Sequence, residues 1–150
     1  MGMQELRTFN HNHLAELAPL IAASTAEGYS MVQRFYDEWQ SGVQTFAQVG
    51  EGFWGIWQGQ RLRAIGGISR DPYQPSIQIG RIRHVYVLPA WRRHGLAQQI
   101  VLHSLKHAAG HFAQISLYTS NPAAAQLYLR CGFAPATGLV RSTHCYNYPS

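Results

Sequence analysis

The hydrophobic positions of this 150-residue chain follow two periods, one typical of α-helices and one typical of β-strands. Helical spacing predicts four helices, which lie between the Asn10-His11-Asn12 cap and about Ala26, at Tyr29–Trp39, from Leu96 to the residues before Gly110, and from Asn121 to Gly132. Alternation and short apolar runs predict strands at Gln4–Phe9, Phe53–Gln58, Leu62–Ser69, Ile77–Leu88, Ile115–Thr119 and Leu139–Tyr146, with a further short strand at Phe133–Pro135.

The order of these elements, β-α-α-β-β-β-α-β-α-β, predicts a mixed α/β sheet with helices packed on it. The connection Gln58-Gly59-Gln60 has the length of a hairpin turn, so the strands on either side of it should pair antiparallel. The fourth helix carries the clearest local signals, because Asn121 stands at its N-cap, Pro122 at its first position and Gly132 just beyond its end.

The composition of the chain indicates how many domains it forms and what kind of partner it binds. Apolar residues make up 46% of the chain and charged residues 13%, which fits one compact domain spanning residues 1–150. The formal net charge is +5, and 11 of the 12 basic residues are arginine, Lys106 being the lysine. Because guanidinium groups bind carboxylate and phosphate in a forked geometry, a specific anionic ligand fits this charge at least as well as nucleic acid does.

The two cysteines, Cys131 and Cys145, are too few for a disulfide scaffold, and their spacing is not that of a zinc site. We therefore expect no metal and a reducing, cytoplasmic location. No run approaches the roughly 20 apolar residues that a membrane-spanning helix needs, and no secretory signal is visible, so we expect no membrane partner.

A first segment with candidate chemistry follows the longest predicted strand. Arg92, Arg93 and His94 precede Gly95 and Ala97, at the point where a helix begins. The first turn of a helix has N–H groups without internal partners and carries partial positive charge, so it is a ready site for phosphate. A glycine before a helix is also common as a simple turn, so this segment alone leaves both interpretations open.

A second segment runs from Ser120 to Phe133. Asn121 has a structural interpretation as a helix cap, and Tyr128 has one as a core aromatic residue beside Leu127 and Leu129. Taken alone, each residue favours its structural interpretation.

Taken together, in this order and at this separation, the two segments resemble the GCN5-related N-acetyltransferase (GNAT) superfamily. In that family a bulged strand precedes a loop of pattern Q/R-x-x-G-x-G/A, which is matched here by Arg92, Gly95 and Ala97. A later strand leads to an asparagine and then to a tyrosine in the next helix, and these are matched by Asn121 and Tyr128.

The resemblance also includes the Gly132-Phe133 pair and covers about Ile82 to Phe133. It implies a mostly antiparallel mixed sheet with helices on both faces. It further implies an enzyme that moves the acetyl group of acetyl-CoA directly to a primary amine of a small molecule or peptide. Two alternatives remain open, namely a non-catalytic acyl-CoA sensor of the same fold and a basic RNA-binding module.

The resemblance implies a role for each matched residue. The coenzyme diphosphate would sit on the backbone amides from Arg93 to Gln98, assisted by the Arg92 or Arg93 side chain. Backbone groups of Val85 and Val87 would pair with the pantetheine arm as an added strand does. The implied coenzyme-binding residues are Val85, Val87, Arg92, Arg93, His94, Gly95, Leu96, Ala97, Gln98, Asn121 and Tyr128.

Three of these residues would act directly on the thioester end of the coenzyme. The Val87 N–H would polarise the thioester carbonyl, as a donor of an oxyanion hole does. Asn121 would hold the pantetheine arm, and the Tyr128 hydroxyl would protonate the departing thiolate.

The attacking amine must also lose a proton, so a base or a water chain is expected. Some family members carry a glutamate early on the strand before the phosphate loop, but Arg81-Ile82-Arg83-His84 holds no carboxylate. His84 is the first candidate base, with a strand histidine satisfied by a neighbour as the alternative. His144 is the second candidate, and Glu51 and Asp71 are the third.

The acceptor site is less well signalled. Arg81 and Arg83, if they face it, favour an acceptor that bears a carboxylate. Four aromatic residues of the second predicted helix either shape the acceptor pocket or pack in the core: Tyr29, Phe35, Tyr36 and Trp39.

Two further expectations concern packing. Trp54 and Trp57 project to opposite faces of a regular strand, so we expect only one of them in the core. A homodimer is a possible assembly, with Cys145 and Tyr146 on a terminal strand at its edge.

Overall fold

The computed structural model describes residues 3–149 of the chain. Its strands are β1 Gln4–Thr8, β2 Gly52–Gln58, β3 Arg61–Arg70, β4 Ile79–Val87, β5 Gln114–Leu117, β6 Ala134–Pro135 and β7 His144–Asn147. Its α-helices are α1 Ala18–Ala26, α2 Met31–Ser41, α3 Leu96–Ala108 and α4 Pro122–Arg130, and 3-10 segments lie at His11–Leu17 and Pro89–Trp91.

The seven strands form one sheet in the order β1-β2-β3-β4-β5-β7-β6. Neighbouring strands pair antiparallel except β4 and β5, which run parallel. The predicted element order and the mixed, mostly antiparallel sheet are confirmed, and the short strand expected near Phe133–Pro135 is β6.

Helices cover both faces of this sheet, as predicted. On one face α1 and α2 pack against a cluster that includes Phe35, Phe53 and Ile65. On the other face α3 and α4 pack against clusters that include Ile82 and Ile100. The alternation of side chains along each strand therefore feeds two cores instead of one core and a solvated face.

Both tryptophans of β2 are buried, so the expectation that only one is core was wrong. Trp54 is 4% exposed and belongs to the cluster under α3 and α4, whereas Trp57 is 2% exposed and belongs to the cluster under α1 and α2. Trp57 also donates its indole N–H to Glu16 Oε1 at 2.8 Å. They do project to opposite faces, but each face is covered.

A β-bulge interrupts β4. The register between β3 and β4 slips by one residue, so that His84 and Val85 together lie opposite Gly66. His84 has a φ of 56°, in the left-handed region that side chains rarely adopt. As a result Ile82 and Val85, three residues apart, pack against the same cluster under α3 and α4.

The last strand is shorter than predicted, because long-range contacts hold the segment before it. Val140 N donates to Gln74 Oε1 at 3.2 Å, and Arg81 Nη2 donates to Arg141 O at 2.8 Å. These bonds take the place of a strand ladder, so the predicted strand Leu139–Tyr146 begins only at residue 144.

The expectation that the terminal strand forms an edge was also wrong. β7 lies between β5 and β6, and the edges of the described sheet are β1 and β6. Cys145 is buried and Tyr146 packs against the cluster under α3 and α4, so neither residue is presented to a second chain along a free strand.

The first predicted helix divides into two parts. The Asn10 side chain accepts from Asn12 N at 2.9 Å, as the cap predicted, but the segment that follows is a 3-10 helix before α1 begins at Ala18. Among residues 3–149 no helix has both the length and the apolar character needed to cross a membrane.

Candidate functional site

β4 and β5 separate after three paired positions, and the gap between them is the centre of the candidate site. Ile79–Arg81 pairs with Gln114–Ser116, and beyond this β4 runs on to Val87 without β5 beside it. Leu88 N donates to Arg63 O at 3.0 Å, so these two residues form a hydrogen-bonded pair. Because such pairs alternate along an antiparallel ladder, the N–H and C=O of Val87 point away from β3 and into the gap.

The loop after β4 presents a row of free backbone donors. The first backbone bond of α3 runs from Gln99 N to Gly95 O at 3.0 Å. None of the six amides from Arg93 to Gln98 has a hydrogen-bond partner within residues 3–149. Six adjacent donors at the positive end of a 13-residue helix form a site for a phosphate group.

The backbone of this loop is held in an unusual conformation. Arg93 has a φ of 67° and Gly95 a φ of 76°, both in the left-handed region. Residues in that conformation turn neighbouring N–H groups toward one side, which is how backbone concavities bind anions. The side chains of Arg93 and His94 are exposed beside these amides.

Arg92 is turned toward α1 and not toward the row of amides. Its Nη1 and Nη2 atoms donate to the two carboxylate oxygens of Glu27, at 2.8 Å each. Its Nε donates to Val87 O at 3.0 Å, and the Tyr86 hydroxyl donates to Glu27 Oε1 at 2.5 Å. These bonds from Arg92 and Tyr86 hold the pKa of Glu27 below its ordinary value.

Tyr128 and Asn121 lie on and before α4. Asn121 Oδ1 accepts from Ala123 N at 2.8 Å and Ala124 N at 3.3 Å, so the side-chain carbonyl caps the helix and its amide group remains available. Tyr128 shares a cluster with Ile82 and Leu117, the residues that flank the point where β4 and β5 separate.

The Tyr128 hydroxyl makes no hydrogen bond to any residue from 3 to 149. Burial, with a smaller contribution from Cys131, raises the pKa of Tyr128 well above its ordinary value. The phenol is therefore protonated at neutral pH and retains a free donor.

His84 lies at the bulge and faces α2. Its ring is 5.6 Å from that of Phe35, and its side chain is 5% exposed. Burial, followed by the charges of Arg83 and Arg34, lowers the pKa of His84 to about 3. The imidazole is therefore neutral at physiological pH.

The other predicted bases are His144, Glu51 and Asp71, and none of them lies on β4. His144 is on β7, so β5 separates it from β4, and its Nδ1 is 2.8 Å from Thr143 Oγ1. Glu51 accepts from Arg70 N at 2.9 Å, and Arg70 lies at the opposite end of the β3–β4 pair from Val87.

The Arg81 side chain is buried in a polar network and not presented on an open surface, which corrects the expectation that it recognises an acceptor. It is 7% exposed, its Nη1 lies 3.6 Å from Asp71 Oδ2, and it also donates to Ser142 Oγ at 3.2 Å. Asp71 is fully buried and accepts from Ser116 Oγ as well. This network connects the loop after β3 with the segment before β7. Arg83 is half-buried and donates to Ser69 Oγ.

The aromatic residues of the second helix divide between core and surface. Phe35 and Trp39 are buried in the cluster under α1 and α2, and Tyr36 packs against its border. Tyr29 is 44% exposed in the connection between the two helices.

Sequence reasoning missed Glu27, Tyr86 and Glu38. Glu27 and Arg92 are 65 positions apart, so no local spacing connects them. The available signal was the small number of acidic residues, seven in 150, because each of them is then a stronger candidate partner for the arginines. No group of three or more histidine, cysteine or acidic side chains that suits a metal ion occurs among the described residues.

Comparisons with known proteins agree with this geometry. The model of the acetyltransferase (GNAT) family matches residues 14–133. A candidate acetyltransferase of Exiguobacterium sp. 255-15 is 26% identical, with a TM-score of 0.84 over 97% of this chain and 93% of that one. A search of curated sequences finds no significant match.

Two more distant structures share the fold. The PaiA N-acetyltransferase of Thermoplasma acidophilum, solved with coenzyme A, is 14% identical, with a TM-score of 0.68 over 97% of this chain and 99% of that one. A GNAT family acetyltransferase of Brucella melitensis, solved with acetyl-CoA, is 13% identical, with a TM-score of 0.73 over 100% of this chain and 91% of that one.

Proposed function

The chain belongs to the GNAT family of acetyltransferases, and on that premise we propose that it transfers the acetyl group of acetyl-CoA directly to a primary amine of a small molecule or peptide. The observation that carries the proposal is the row of six free amides from Arg93 to Gln98, next to a strand end whose backbone faces an open gap. The structures solved with coenzyme A and acetyl-CoA share this fold and support the choice of donor.

The donor would be held by two sets of backbone groups. The amides from Arg93 to Gln98 would bind the diphosphate, and the exposed side chains of Arg93 and His94 would add positive charge. The backbone of Val85 and the N–H of Val87 would bind the pantetheine arm in the gap where β5 would otherwise continue, since Val87 O already accepts from Arg92. The free amide group of Asn121 would donate to the same arm.

Two groups would assist the transfer. When bound, acetyl-CoA supplies an activated thioester. The Val87 N–H, which points into the gap, would stabilise negative charge that develops on the carbonyl oxygen. Tyr128 would donate its proton to the sulfur as the carbon–sulfur bond breaks and the carbon–nitrogen bond forms, and would recover a proton from solvent afterwards.

The geometry supports none of the four predicted bases as the group that deprotonates the amine. Glu51 and Asp71 lie at the opposite end of the β3–β4 pair from Val87. His84 is a weak proton acceptor because its pKa is about 3, and His144 lies beyond β5. We therefore propose that the amine reacts as its uncharged form and releases a proton to solvent. The rate should then rise with pH until the acceptor itself is deprotonated.

The alternatives of acyl-CoA sensing and RNA binding predict different results. A sensor would bind acetyl-CoA but transfer nothing, whereas a basic module would bind RNA with strong salt dependence. The free thiols of Cys131 and Cys145 fit a reducing, cytoplasmic location for the proposed enzyme.

The test measures acetyl-CoA binding first and transfer second. A ligand that binds only the native state stabilises it by about 2.7 kcal/mol at a concentration of 100 times Kd, so the melting temperature should rise clearly. Release of free thiol would then be followed with butylamine, spermidine, lysine and an alanine tripeptide. Binding without thiol release favours the sensor, and tighter binding of RNA than of acetyl-CoA contradicts the enzyme.

A further inference from the structure

The Glu27 carboxylate lies close to the end of β4, on the face opposite α3 and α4. One guanidinium group connects it to the strand, because Arg92 bonds to both oxygens of Glu27 and to Val87 O. Tyr86, whose ring is buried under α1 and α2, donates its hydroxyl to the same carboxylate. Glu27 is thus fixed beside the peptide groups that border the gap.

The direction from which the acceptor arrives follows from the placement of the donor. The free amides of α3 and the Tyr128 hydroxyl both belong to the layer of α3 and α4. The nitrogen attacks one face of the planar thioester. Because the donor and the layer of α3 and α4 cover one side of the strand end, the side that remains for an acceptor is that of α1 and α2. At the end of β4, the polar side chains of that layer are those of Glu27, Tyr86 and Arg92, with Tyr29 near Arg92.

Glu27 keeps the capacity to bind one more donor. A carboxylate has about four lone-pair sites. Oε1 accepts from Tyr86 and from Arg92 Nη2, whereas Oε2 accepts from Arg92 Nη1 alone. The Glu27 side chain is 27% exposed, so a ligand can reach it.

None of the other acidic residues of this layer contacts the end of β4 within residues 3–149. Glu16 accepts from the Trp57 indole, and Asp37 accepts from Gln33. Glu38 Oε1 is buried next to His84. Among the described residues, Glu27 is therefore the exposed carboxylate that a strand-end contact links directly to β4.

We infer that Glu27 binds the amino group of the acceptor through its Oε2 atom, and that Arg92 and Tyr86 position this carboxylate instead of Arg92 binding the coenzyme diphosphate. The inference rests on the proposed function and adds the acceptor class, an alkyl amine. Because carboxylates repel each other, an acceptor with its own carboxylate next to the amine is disfavoured. The lowered pKa of Glu27 keeps the group ionised over the working range of pH.

The test compares Glu27→Gln with Arg93→Ala, a matched change on the other side of the strand end. Glu27→Gln should lower kcat/KM for butylamine by about tenfold or more, because a hydrogen bond to a charged group is lost, while the Kd for acetyl-CoA stays within about twofold. Arg93→Ala should weaken acetyl-CoA binding severalfold and leave the KM for butylamine unchanged.

Two further measurements separate binding from a structural role. Tyr86→Phe removes one bond to Glu27 but keeps the packed ring, and should raise the KM for butylamine without changing the Kd for acetyl-CoA. Butylamine binds as its ammonium ion and loses a proton to solvent before it attacks, whereas aniline is uncharged at neutral pH. The preference for butylamine over aniline should therefore fall in Glu27→Gln. A merely structural role would lower both rates equally.

The outcomes distinguish the inference from the proposed function. Failure of the wild type to bind acetyl-CoA defeats the function itself. Two results defeat the inference alone. One is turnover of butylamine that Glu27→Gln leaves unchanged, and the other is a wild type that acetylates another amine of the panel but does not use saturating butylamine. An Arg92→Ala variant that weakens acetyl-CoA binding as strongly as Arg93→Ala would show that Arg92 binds the coenzyme diphosphate, and would contradict its positioning role.

Discussion

His84 Nε2 lies 3.6 Å from Glu38 Oε1, and both atoms are buried without a hydrogen bond. The carboxylate does not keep the imidazole charged, because burial and the charges of Arg83 and Arg34 lower the pKa of His84 to about 3. The folded protein therefore holds a neutral histidine at a strained position of β4, where φ is 56°.

Acid should destabilise the protein through this histidine. The pKa of His84 is about 3 when folded against an ordinary 6.5, so the unfolded chain binds the extra proton between these values. The free energy of unfolding should then fall as the pH drops below about 6.5, by at most about 1.4 kcal/mol per pH unit. Urea unfolding across this range should show a flatter dependence for His84→Asn, whose side chain tolerates the left-handed backbone.

A neighbouring truncation serves as the control for His84. Phe35→Leu should lower the free energy of unfolding by a similar amount at every pH, because it removes packing and no titrating group. If His84→Asn retains the full acid dependence of the wild type, another group is responsible.

Loss of the Tyr128 hydroxyl should slow transfer without affecting coenzyme binding. A positioned general acid contributes about 100-fold or more, so Tyr128→Phe should lower kcat by about that factor at an unchanged Kd for acetyl-CoA. Because burial raises the pKa of Tyr128, the wild-type rate should show no alkaline loss near pH 10 from this group. Tyr146→Phe is the control and should retain full activity. If Tyr128→Phe turned over at the wild-type rate, Tyr128 would not be the general acid.

Arg81 should matter for stability and not for the acceptor. Removing one partner of a buried ion pair leaves the other charge uncompensated. Arg81→Ala should therefore lower the free energy of unfolding by about 3 kcal/mol, because the buried Asp71 carboxylate loses its cation. Lys106→Ala, on an exposed position of α3, should change stability by less than about 0.5 kcal/mol. Chemical denaturation measures both, and a raised KM for butylamine in a folded Arg81→Ala variant would contradict the structural role.

The affinity for acetyl-CoA should depend on the glycine at position 95, where the backbone is left-handed. An added Cβ at Gly95 meets no atom within 4 Å, so Gly95→Ala tests backbone strain without a clash. We expect the alanine to let the empty loop relax from this conformation. Binding must then restore strain of about 1 kcal/mol, which corresponds to about fivefold weaker affinity. Gly59 in the β2–β3 turn is equally open with a φ of 61°, so Gly59→Ala should lose similar stability and retain the wild-type Kd. If both variants changed the Kd for acetyl-CoA equally, the backbone conformation of the loop before α3 would not determine the affinity.

The features that were predictable from sequence depend on local signals. Helix α4 was found because Asn121, Pro122 and Gly132 are adjacent to its ends, and the loop before α3 was found through its Arg and Gly positions. The bounds of β7 were wrong because Gln74, some 66 positions earlier, determines the path of Val140.

The direction of the Arg92 side chain was likewise out of reach. Its partner Glu27 is on another helix, and the choice between a carboxylate and a phosphate depends on how α1 packs against β4. Burial of both Trp54 and Trp57 also required knowing that each face of the sheet is covered.

The brief contact between β4 and β5 has a consequence for how the molecule opens. Only three register pairs join β1–β4 to the part of the described sheet formed by β5, β7 and β6, although α3 and α4 pack across the junction. Cooperative units separated by so few backbone bonds exchange their amide hydrogens at different rates. The strands after residue 113 should therefore exchange faster than β3, and a ligand that fills the gap should slow them by joining the two units.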